Sequence, residues 1–474
     1  MRFEEYRSRD ATALAALVAE GAVTAGELLE IAVARAEAVQ PLVNAIAIFD
    51  LEEAERRLAA PLPAGPFRGV PFLFKDLYAF LEGTALSNGS RLTRDLRASF
   101  TSTFVHRCLA AGFVPFGKTS SPEFGLNVTT EPVLHGATRN PWNPSFSAGG
   151  SSGGAAAAVA AGIVPLAHAT DGGGSIRIPA SHCGLVGLKP SRARTPVGPL
   201  VAEAWNGLAT GLCLARSLRD VAAFLDAVHG PETGDFYAVP PPAGSFRAAI
   251  ERAPRRLRIG ILRRPPDGPA VHPENAAAIE RTANLLAGLG HHLEETAIPV
   301  DGERLSAAFL TLVAVHCARD LDSWSRITGR PADEHHLEAC TLLLAERGRE
   351  ISAVAFLEAL HTVQATARVF GQMFERFDVL LSPTCAEPPP RLGDIRQDVA
   401  DLEAFLAANR PYVAFTHLYN ASGCPALSLP LHTTAEGLPI GVMFGAPFGQ
   451  EERLLELGAE LERAAPWFHR IPPV

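Results

Sequence analysis

The sequence predicts an α/β protein built on a mixed, twisted central β-sheet that is flanked by helices. Short apolar runs typical of buried strands alternate with segments of helical spacing along the whole chain, and no repeat of solenoid period is present. The 474 residues are 47% hydrophobic, which is enough to bury a large core. Because nothing in the pattern requires separate units, we expect one large domain over residues 1–474.

The first part of the chain begins with helices and continues with a buried strand. Apolar residues recur at helical spacing through residues 10–40, where Thr24 is a suitable N-cap for the second of two helices. The run GVPFLFKDLYAF is typical of a buried strand. Further predicted elements are a helix over 101–112, a strand over 114–116 and a closely packed alanine helix over 155–161.

The second half of the chain follows a linker at residues 230–246, where proline and glycine accumulate. LRIGIL predicts a strand, residues 274–289 a helix, and Thr296 to Val300 another strand, which together make one βαβ-like unit. Residues 303–376 are mainly helical in pattern. Strand character returns at residues 379–383, 425–431 and 439–447.

Composition argues against several classes of partner. The formal net charge is −9, and the one notable arginine run, between residues 255 and 264, flanks an apolar strand, so we expect no nucleic acid partner. The N-terminal residues carry early acidic groups and no extended apolar run, so we expect neither a signal peptide nor a membrane anchor and no membrane partner. Seven cysteines without a CxxC pair indicate a reducing compartment, so the sequence predicts a cytoplasmic protein.

No cofactor and no metal ion is predicted. GFVPFGKT at residues 112–119 matches the phosphate-binding pattern GxxxxGK[ST], but it follows a predicted helix and contains a predicted strand. That order is the reverse of the strand–loop–helix order that a phosphate-binding loop requires. Two pairs of adjacent histidines, at 291–292 and 335–336, lack the spacing of zinc ligands.

The most informative stretch is RNPWNPSFSAGGSSGGAAAAVAAGIVPLAHATDGGGSIRIPASHCGLVGLKP, residues 139–190. Ser151 and Ser152 are framed by pairs of glycines, and Ser175 follows Gly172, Gly173 and Gly174. Free backbone N–H groups in such a glycine run can hold an anion. Next to a nucleophilic serine they would form an oxyanion hole.

GGSSG also contains the pattern G-x-S-x-G, the nucleophile elbow of α/β-hydrolases. That motif requires a strand directly before it. The preceding NPWNPSFSA carries two prolines and no apolar run, so we expect a loop there and do not favour the elbow.

A serine nucleophile needs a base, and lysine is rare in this chain. Lysine occurs only at Lys75, Lys118 and Lys189. Lys75 ends an apolar run, and burial lowers the pKa of a lysine so that it can act as a base. His168 and His182 are the alternative bases, and a surface lysine at a strand end is the non-catalytic alternative for Lys75.

Several motifs together resemble the amidase signature family. They are FKD at 74–76, GKTSSPEFG at 117–125, NPW at 140–142, AGGSSGG at 148–154, DGGGSIRIPA at 171–180, GLKPS, LLSPT at 380–384 and GLPIGVMF at 437–444. They occur in the family's order and cover nearly the whole chain. The resemblance implies the amidase-signature fold, with the signature core at about residues 65–200.

The resemblance also implies a Ser–cis-Ser–Lys triad for amide hydrolysis. Lys75 would be the base, Ser151 the bridging serine after a cis peptide at Gly150, and Ser175 the nucleophile that carries the acyl group. The N–H groups from Gly172 to Ser175 would form the oxyanion hole. The residues that support this loop would be Ser152, Asp171 and Arg177.

Within the family, the motifs are most similar to the branch that contains 6-aminohexanoate-cyclic-dimer hydrolase. This similarity implies a small linear or cyclic amide as the substrate. Cys317 is a candidate for the pocket wall, with a packed core cysteine as the alternative, and the helical region 303–420 is expected to shape the substrate site. The sequence allows a homodimer.

Two other functions remain as alternatives. The first is a glutamine-hydrolysing subunit of a complex like glutamyl-tRNA amidotransferase, which would require partner subunits. The second is a catalytically silent binding protein on the same scaffold, which the intact Lys75, Ser151 and Ser175 argue against.

Overall fold

Thirteen strands and sixteen helices make up the computed structural model, which describes residues 1–474. The strands are β1 (Ile46–Phe49), β2 (Pro71–Lys75), β3 (Val114–Thr119), β4 (Arg139–Asn140), β5 (Asn143–Ser147), β6 (Leu166–Asp171), β7 (Val186–Lys189), β8 (Thr210–Ala215), β9 (Arg258–Leu262), β10 (His292–Thr296), β11 (Val379–Pro383), β12 (Ala426–Thr433) and β13 (Pro439–Gly445).

The helices surround the strands and include one long helical segment in the second half of the chain. They are α1 (Phe3–Arg7), α2 (Ala11–Ala19), α3 (Ala25–Val43), α4 (Leu51–Leu58), α5 (Thr103–Ala110), α6 (Gly153–Ala160), α7 (Arg177–Cys183), α8 (Leu218–Val228), α9 (Phe246–Ala249), α10 (Pro273–Gly288), α11 (Gly302–Thr328), α12 (Ala339–Glu350), α13 (Ala353–Arg376), α14 (Leu402–Val413), α15 (His417–Ser422) and α16 (Glu451–Ala464). None of the helices combines the length and the apolar character that crossing a bilayer would require.

Eight strands form the central sheet in the order β10-β9-β11-β13-β12-β7-β8-β6. The pairs β10–β9 and β9–β11 are parallel, and the remaining pairs are antiparallel, so the sheet is mixed as predicted. The helix α10 joins β9 to β10, so a βαβ unit is present as predicted, although its second strand ends at Thr296, where the predicted strand begins.

A smaller sheet, in the order β1-β3-β2, brings the end of β2 to the edge strand β6. All five residues of β2 are buried, as expected for its apolar sequence. The N–H of Lys75 donates to Nδ1 of His168 in β6 at 3.2 Å. This contact joins the two sheets at the position from which the Lys75 side chain emerges.

Most predicted elements are confirmed, and the differences have physical reasons. Thr24 caps α3 by accepting a hydrogen bond from Glu27 N–H at 3.1 Å. The strand predicted at Thr296 to Val300 is wrong, because β10 ends at Thr296. β10 is an edge strand, so the polar sequence HLEET can form it without a continuous apolar run. The apolar residues beyond β10 include Ile298, which packs among helices instead.

The predicted loop before Ser151 also differs. Residues 139–147 contain a two-stranded hairpin of β4 and β5, outside the central sheet. Prolines are tolerated there because such short edge strands leave many N–H groups unpaired. The segment between β5 and Ser151 remains without regular structure, so the strand-to-helix elbow of α/β-hydrolases is not formed.

The serine-containing segment is held close to the β1–β3 region by small side chains. Every residue of α6 is buried. A Cβ atom on Gly154 would lie 2.3 Å from Ser120 N, so only glycine permits this approach. The alanines that follow let α6 pack closely against its neighbours.

Candidate active site

Lys75 lies at the carboxyl end of β2 with no exposed surface. Its Nζ atom is 2.7 Å from Ser151 Oγ and 2.9 Å from Thr170 Oγ1. The two hydroxyls come from different elements, the glycine-rich segment and β6. The predicted base and the predicted bridging serine are therefore in hydrogen-bond contact.

Burial shifts Lys75 towards its neutral form. Desolvation holds the pKa of its amine well below the usual range, and the Asp171 carboxylate opposes this effect only in part. Asp76, the next residue, points elsewhere and accepts a hydrogen bond from Ser87 N–H at 2.8 Å. Because successive side chains of a strand point to opposite faces, Asp76 does not contact the Lys75 amine.

The other two lysines are also buried, so burial does not distinguish Lys75. Desolvation lowers the pKa of Lys118 to about 8 and that of Lys189 to about 7. However, Lys118 Nζ donates to the carbonyl of Ala79 and Lys189 Nζ to that of Pro190. Only Lys75 contacts a serine hydroxyl.

Ser151 follows a cis peptide bond at Gly150, as the family resemblance implied. A Cβ atom on Gly150 would lie 2.5 Å from Thr129 O and 2.6 Å from Asn127 O, so the neighbouring backbone excludes any side chain. Ser152 Oγ donates to Thr170 O at 3.2 Å and accepts from Thr170 N–H at 3.4 Å. These two bonds fasten the serine segment to the edge of β6.

Ser175 is half-buried and lines the same cavity as Ser151. No hydrogen bond joins the two serine hydroxyls. The loop that carries Ser175 is held by Asp171, whose carboxylate accepts from Gly174 N–H at 2.8 Å and Ile176 N–H at 3.1 Å. The structure thus brings Lys75 and Ser151 together and leaves Ser175 open to the cavity.

Asp171 forms a buried ion pair with Arg177. The guanidinium donates from Nε and Nη2 to the carboxylate at 2.9 and 2.8 Å. Burial alone would raise the pKa of Asp171, but Arg177 and Asn420 outweigh it and lower the pKa to about 2. The predicted supporting roles of Asp171 and Arg177 agree with these contacts.

Three polar residues at the site were not predicted from the sequence: Thr170, Thr416 and Asn420. Thr416 Oγ1 donates to Gly173 O at 2.6 Å, and its carbonyl accepts from Arg177. Asn420 accepts from Arg177 and donates to Asp171. Thr170 could have been predicted as a site residue, because it directly precedes Asp171 on a strand. Thr416 and Asn420 carry no local sequence signal.

The glycine run before Ser175 offers free backbone donors. The N–H groups of Gly172, Gly173 and Ser175 donate to no acceptor in the protein, whereas the N–H of Gly174 is bound by Asp171. The prediction that all four N–H groups face an oxyanion therefore needs correction at Gly174. The role of Gly174 is conformational: its φ is +138°, and a Cβ atom there would lie 2.5 Å from Thr416 Oγ1.

The cavity in front of Ser151 and Ser175 has a volume of about 1030 Å³. Its wall is mainly apolar, and the rings of Trp205 and Phe309 lie over Gly172 and Gly173. The helices α11 and α14 supply many of the lining residues, including Leu310.

Cys317 is not part of this wall. It is buried in a hydrophobic cluster of α11 and α12, where its Sγ donates to Thr341 O at 3.7 Å. The pocket expectation for Cys317 is wrong in this structure, and the core alternative describes its position. Its neighbours Val313, Ala314 and Asp320 on α11 line the cavity, but Cys317 itself is covered by α12.

The two histidines considered as alternative bases do not contact either serine hydroxyl. His168 Nδ1 accepts from Lys75 N–H, and burial lowers its pKa to about 3. His182 packs against Tyr412, and burial lowers its pKa to about 3 as well. No group of three or more histidine, cysteine, aspartate or glutamate side chains is arranged to hold a metal ion.

Comparison with known proteins agrees with this geometry. The family model described as Amidase matches residues 27–455. The chain is 40% identical to 6-aminohexanoate-cyclic-dimer hydrolase of Paenarthrobacter ureafaciens, over 98% of this chain and 96% of the relative.

Solved structures of amidases are also similar to this chain. A structure of 6-aminohexanoate cyclic dimer hydrolase superposes with a TM-score of 0.94 at 39% identity, covering 98% of this chain and 99% of that chain. A bacterial aryl acylamidase of the amidase signature family superposes with a TM-score of 0.89 at 28% identity, covering 98% of each chain. The chain therefore belongs to the amidase signature family and is an enzyme that hydrolyses the carbon–nitrogen bond of amides.

Proposed function

We propose that this enzyme cleaves amides through a relay of Lys75, Ser151 and Ser175 and an acyl-enzyme on Ser175. The observation that carries the proposal is the fully buried amine of Lys75, 2.7 Å from Ser151 Oγ. Because burial lowers the pKa of Lys75, its neutral form is available to take a proton. An arginine or a solvated lysine could not do so.

In the proposed first step, Ser175 Oγ attacks the amide carbon while its proton passes to Ser151 Oγ, and the proton of Ser151 passes to Lys75 Nζ. Ser175 must turn towards Ser151 when substrate binds, since no hydrogen bond joins them beforehand; such contacts commonly tighten on binding. The negative charge that develops on the carbonyl oxygen is stabilised by the free N–H groups of Gly172, Gly173 and Ser175.

Collapse of the tetrahedral intermediate breaks the carbon–nitrogen bond. The proton held by Lys75 returns through Ser151 to the departing amine, which leaves the acyl group on Ser175. Water then attacks the ester, giving its proton to the same relay, and Ser175 is released with a carboxylic acid product. Asp171 and Arg177 take no proton in this scheme; they hold the loop that carries Ser175.

The proposed substrate is a small amide with a large apolar part, either linear or cyclic. A cavity of about 1030 Å³ with a mainly apolar wall is suited to aliphatic chains or rings. Relatives that act on the cyclic dimer of 6-aminohexanoate support the inclusion of cyclic amides. The helical region 303–420, which supplies part of the wall, is proposed to set the shape of the site.

Two measurements on the purified protein test the proposal. A fluorophosphonate probe should label wild-type enzyme at Ser175 and leave the Ser175→Ala variant unlabelled. A panel of aliphatic, aryl and cyclic amides together with glutamine should show release of amine or ammonia from apolar amides. Labelling at another serine would contradict the nucleophile, and hydrolysis confined to glutamine would favour the amidotransferase-like alternative.

A further inference from the structure

The imidazole of His168 lies in the cavity wall and has no part in the proposed relay. His168 is 4% exposed, lines the cavity, and uses only one of its two ring nitrogens within the protein. Nδ1 accepts a hydrogen bond from the N–H of Lys75 at 3.2 Å. Nε2 has no hydrogen-bond partner in the protein, yet it keeps some accessible surface towards the cavity.

The tautomer of this imidazole follows from its contacts. Because Nδ1 accepts from a backbone N–H, the single proton of a neutral ring must reside on Nε2. Burial lowers the pKa of His168 to about 3, so the ring is neutral at neutral pH. Nε2 therefore presents one N–H donor and no charge.

The surroundings of Nε2 keep that donor available. Residue 211 is glycine, and a Cβ atom there would lie 3.6 Å from Nε2, so its absence leaves the space beside Nε2 open. The rings of Phe74 and Phe104 pack around the imidazole with centroid separations of 5.9 and 5.0 Å. Aromatic rings beside the imidazole suit a neutral acceptor such as an amide carbonyl, because an amide costs much less to desolvate than a carboxylate.

The position of His168 relative to the reacting groups is set by β6. His168 and Thr170 are two residues apart on this strand, so they share one face at a spacing of about 7 Å. Thr170 Oγ1 contacts Lys75 Nζ. An acceptor bound at Nε2 would thus be several bonds away from the amide that Ser175 attacks.

We propose that His168 Nε2–H binds a second carbonyl of the substrate, so that the site prefers diamides over amides with a single carbonyl group. This inference deepens the proposed function and rests on it. It identifies a substrate-binding residue outside the relay. Its Nε2–H binds the substrate carbonyl, while its Nδ1 accepts the backbone N–H of Lys75 and holds that residue in place.

The test compares two rings of equal size, the cyclic dimer of 6-aminohexanoate with two amides and a lactam with one. Binding is measured by calorimetry in the Ser175→Ala background, where no turnover interferes. One added hydrogen bond predicts about tenfold tighter binding of the diamide. His168→Asn should remove most of this preference, because asparagine can still accept from Lys75 N–H but does not reach the position of Nε2.

Two further variants separate the binding role from a structural one. His168→Phe should also remove the preference and in addition weaken turnover, since it leaves Lys75 N–H without an acceptor. His182→Asn is the matched control, a buried neutral histidine that does not line the cavity, and it should keep the tenfold preference. A full preference in the His168→Asn variant, or no preference in its parent, would overturn the inference.

The outcome can be distinguished from failure of the proposed function. If wild-type enzyme hydrolyses amides but shows no preference for the diamide, the inference alone is wrong. If no amide is hydrolysed, the proposed function fails, while the binding measurement still decides the role of His168. If neither ring binds, the inference is overturned.

Discussion

Lys75 and Ser151 meet at 2.7 Å although they lie on segments that are 76 residues apart in sequence. The contact depends on β2 ending beside β6 and on a glycine at position 150 that lets Ser151 approach. Neither residue is solvated enough to exchange this partner for water, since Lys75 has no exposed surface and Ser151 is 2% exposed. The pair is therefore fixed by the fold before any substrate arrives.

Replacing Lys75 by methionine should separate activity from stability. Methionine has a similar volume, so the variant should fold, and removal of a buried amine should leave the free energy of unfolding unchanged or higher. Without a base, kcat should fall about 10³-fold or more. Steady-state kinetics and thermal unfolding measure both effects.

The control for this variant is Lys118→Met, which removes another buried lysine that contacts no serine. It should retain kcat within about threefold, even if it lowers stability. Lys75→Arg should be as inactive as Lys75→Met, because a guanidinium stays protonated. Substantial activity in Lys75→Arg would show that the base is a different residue.

The pH dependence of the rate should report the titration of Lys75. Burial lowers the pKa of this amine, so the active neutral form is present above that lowered pKa and is lost as the pH falls through it. We expect kcat/KM to decline on the acidic side with a slope of one. Asp171 should not contribute, since its pKa of about 2 keeps it ionised over the whole profile.

The same shift has a consequence for stability, with a definite sign. Lys75 is protonated in the unfolded chain below its ordinary pKa but neutral in the folded protein down to its lowered pKa. Folding therefore releases a proton in this window, and stability should rise with pH across it. Lys75→Met should flatten that rise in urea unfolding, and an unchanged slope would contradict the lowered pKa.

Site residues could be predicted from the sequence where local patterns mark them, and not where they depend on contacts between residues far apart in the chain. Lys75 was predictable because a continuous apolar run marks a buried strand, and Ser151 and Ser175 because glycines crowd where backbone approaches closely. Asn420 was not, because it reaches Asp171 across 249 residues. No local pattern encodes such a contact.

The errors in the fold prediction have the same origin. β10 is a polar edge strand and ends at Thr296. The prediction placed the strand at Thr296 to Val300 instead, because Ile298 and Val300 are apolar. Cys317 lies on the cavity-lining helix α11, but sequence alone could not tell that α12 covers this residue. Helical periodicity identifies a helix more readily than its partner on each side.

The ion pair between Asp171 and Arg177 should be essential for both stability and rate. Asp171→Asn leaves the guanidinium buried without its counter-charge, which costs about 3–5 kcal/mol of unfolding free energy. It also weakens the acceptors of Gly174 N–H and Ile176 N–H that hold the loop. Both the free energy of unfolding, measured in urea, and kcat should be lower in this variant.

The double variant Asp171→Asn with Arg177→Met is the informative companion. Removing both charges should recover part of the lost stability, because no buried charge remains unpaired. Activity should stay low, because the loop before Ser175 is still unsupported. Recovery of activity together with stability would mean that the pair acts only on the fold.

Gly174→Ala should damage the site through the backbone rather than through lost contacts. The residue has a φ of +138°, and the added methyl group would meet Thr416 Oγ1 at 2.5 Å, so the variant should lose about 1–3 kcal/mol of stability and much of its kcat. KM should change less, since the cavity wall is untouched. Gly371→Ala, in α13 with open space around its position, is the matched control and should be neutral or slightly stabilising. Wild-type kcat in Gly174→Ala would mean that the conformation of this glycine does not govern the alignment of Ser175.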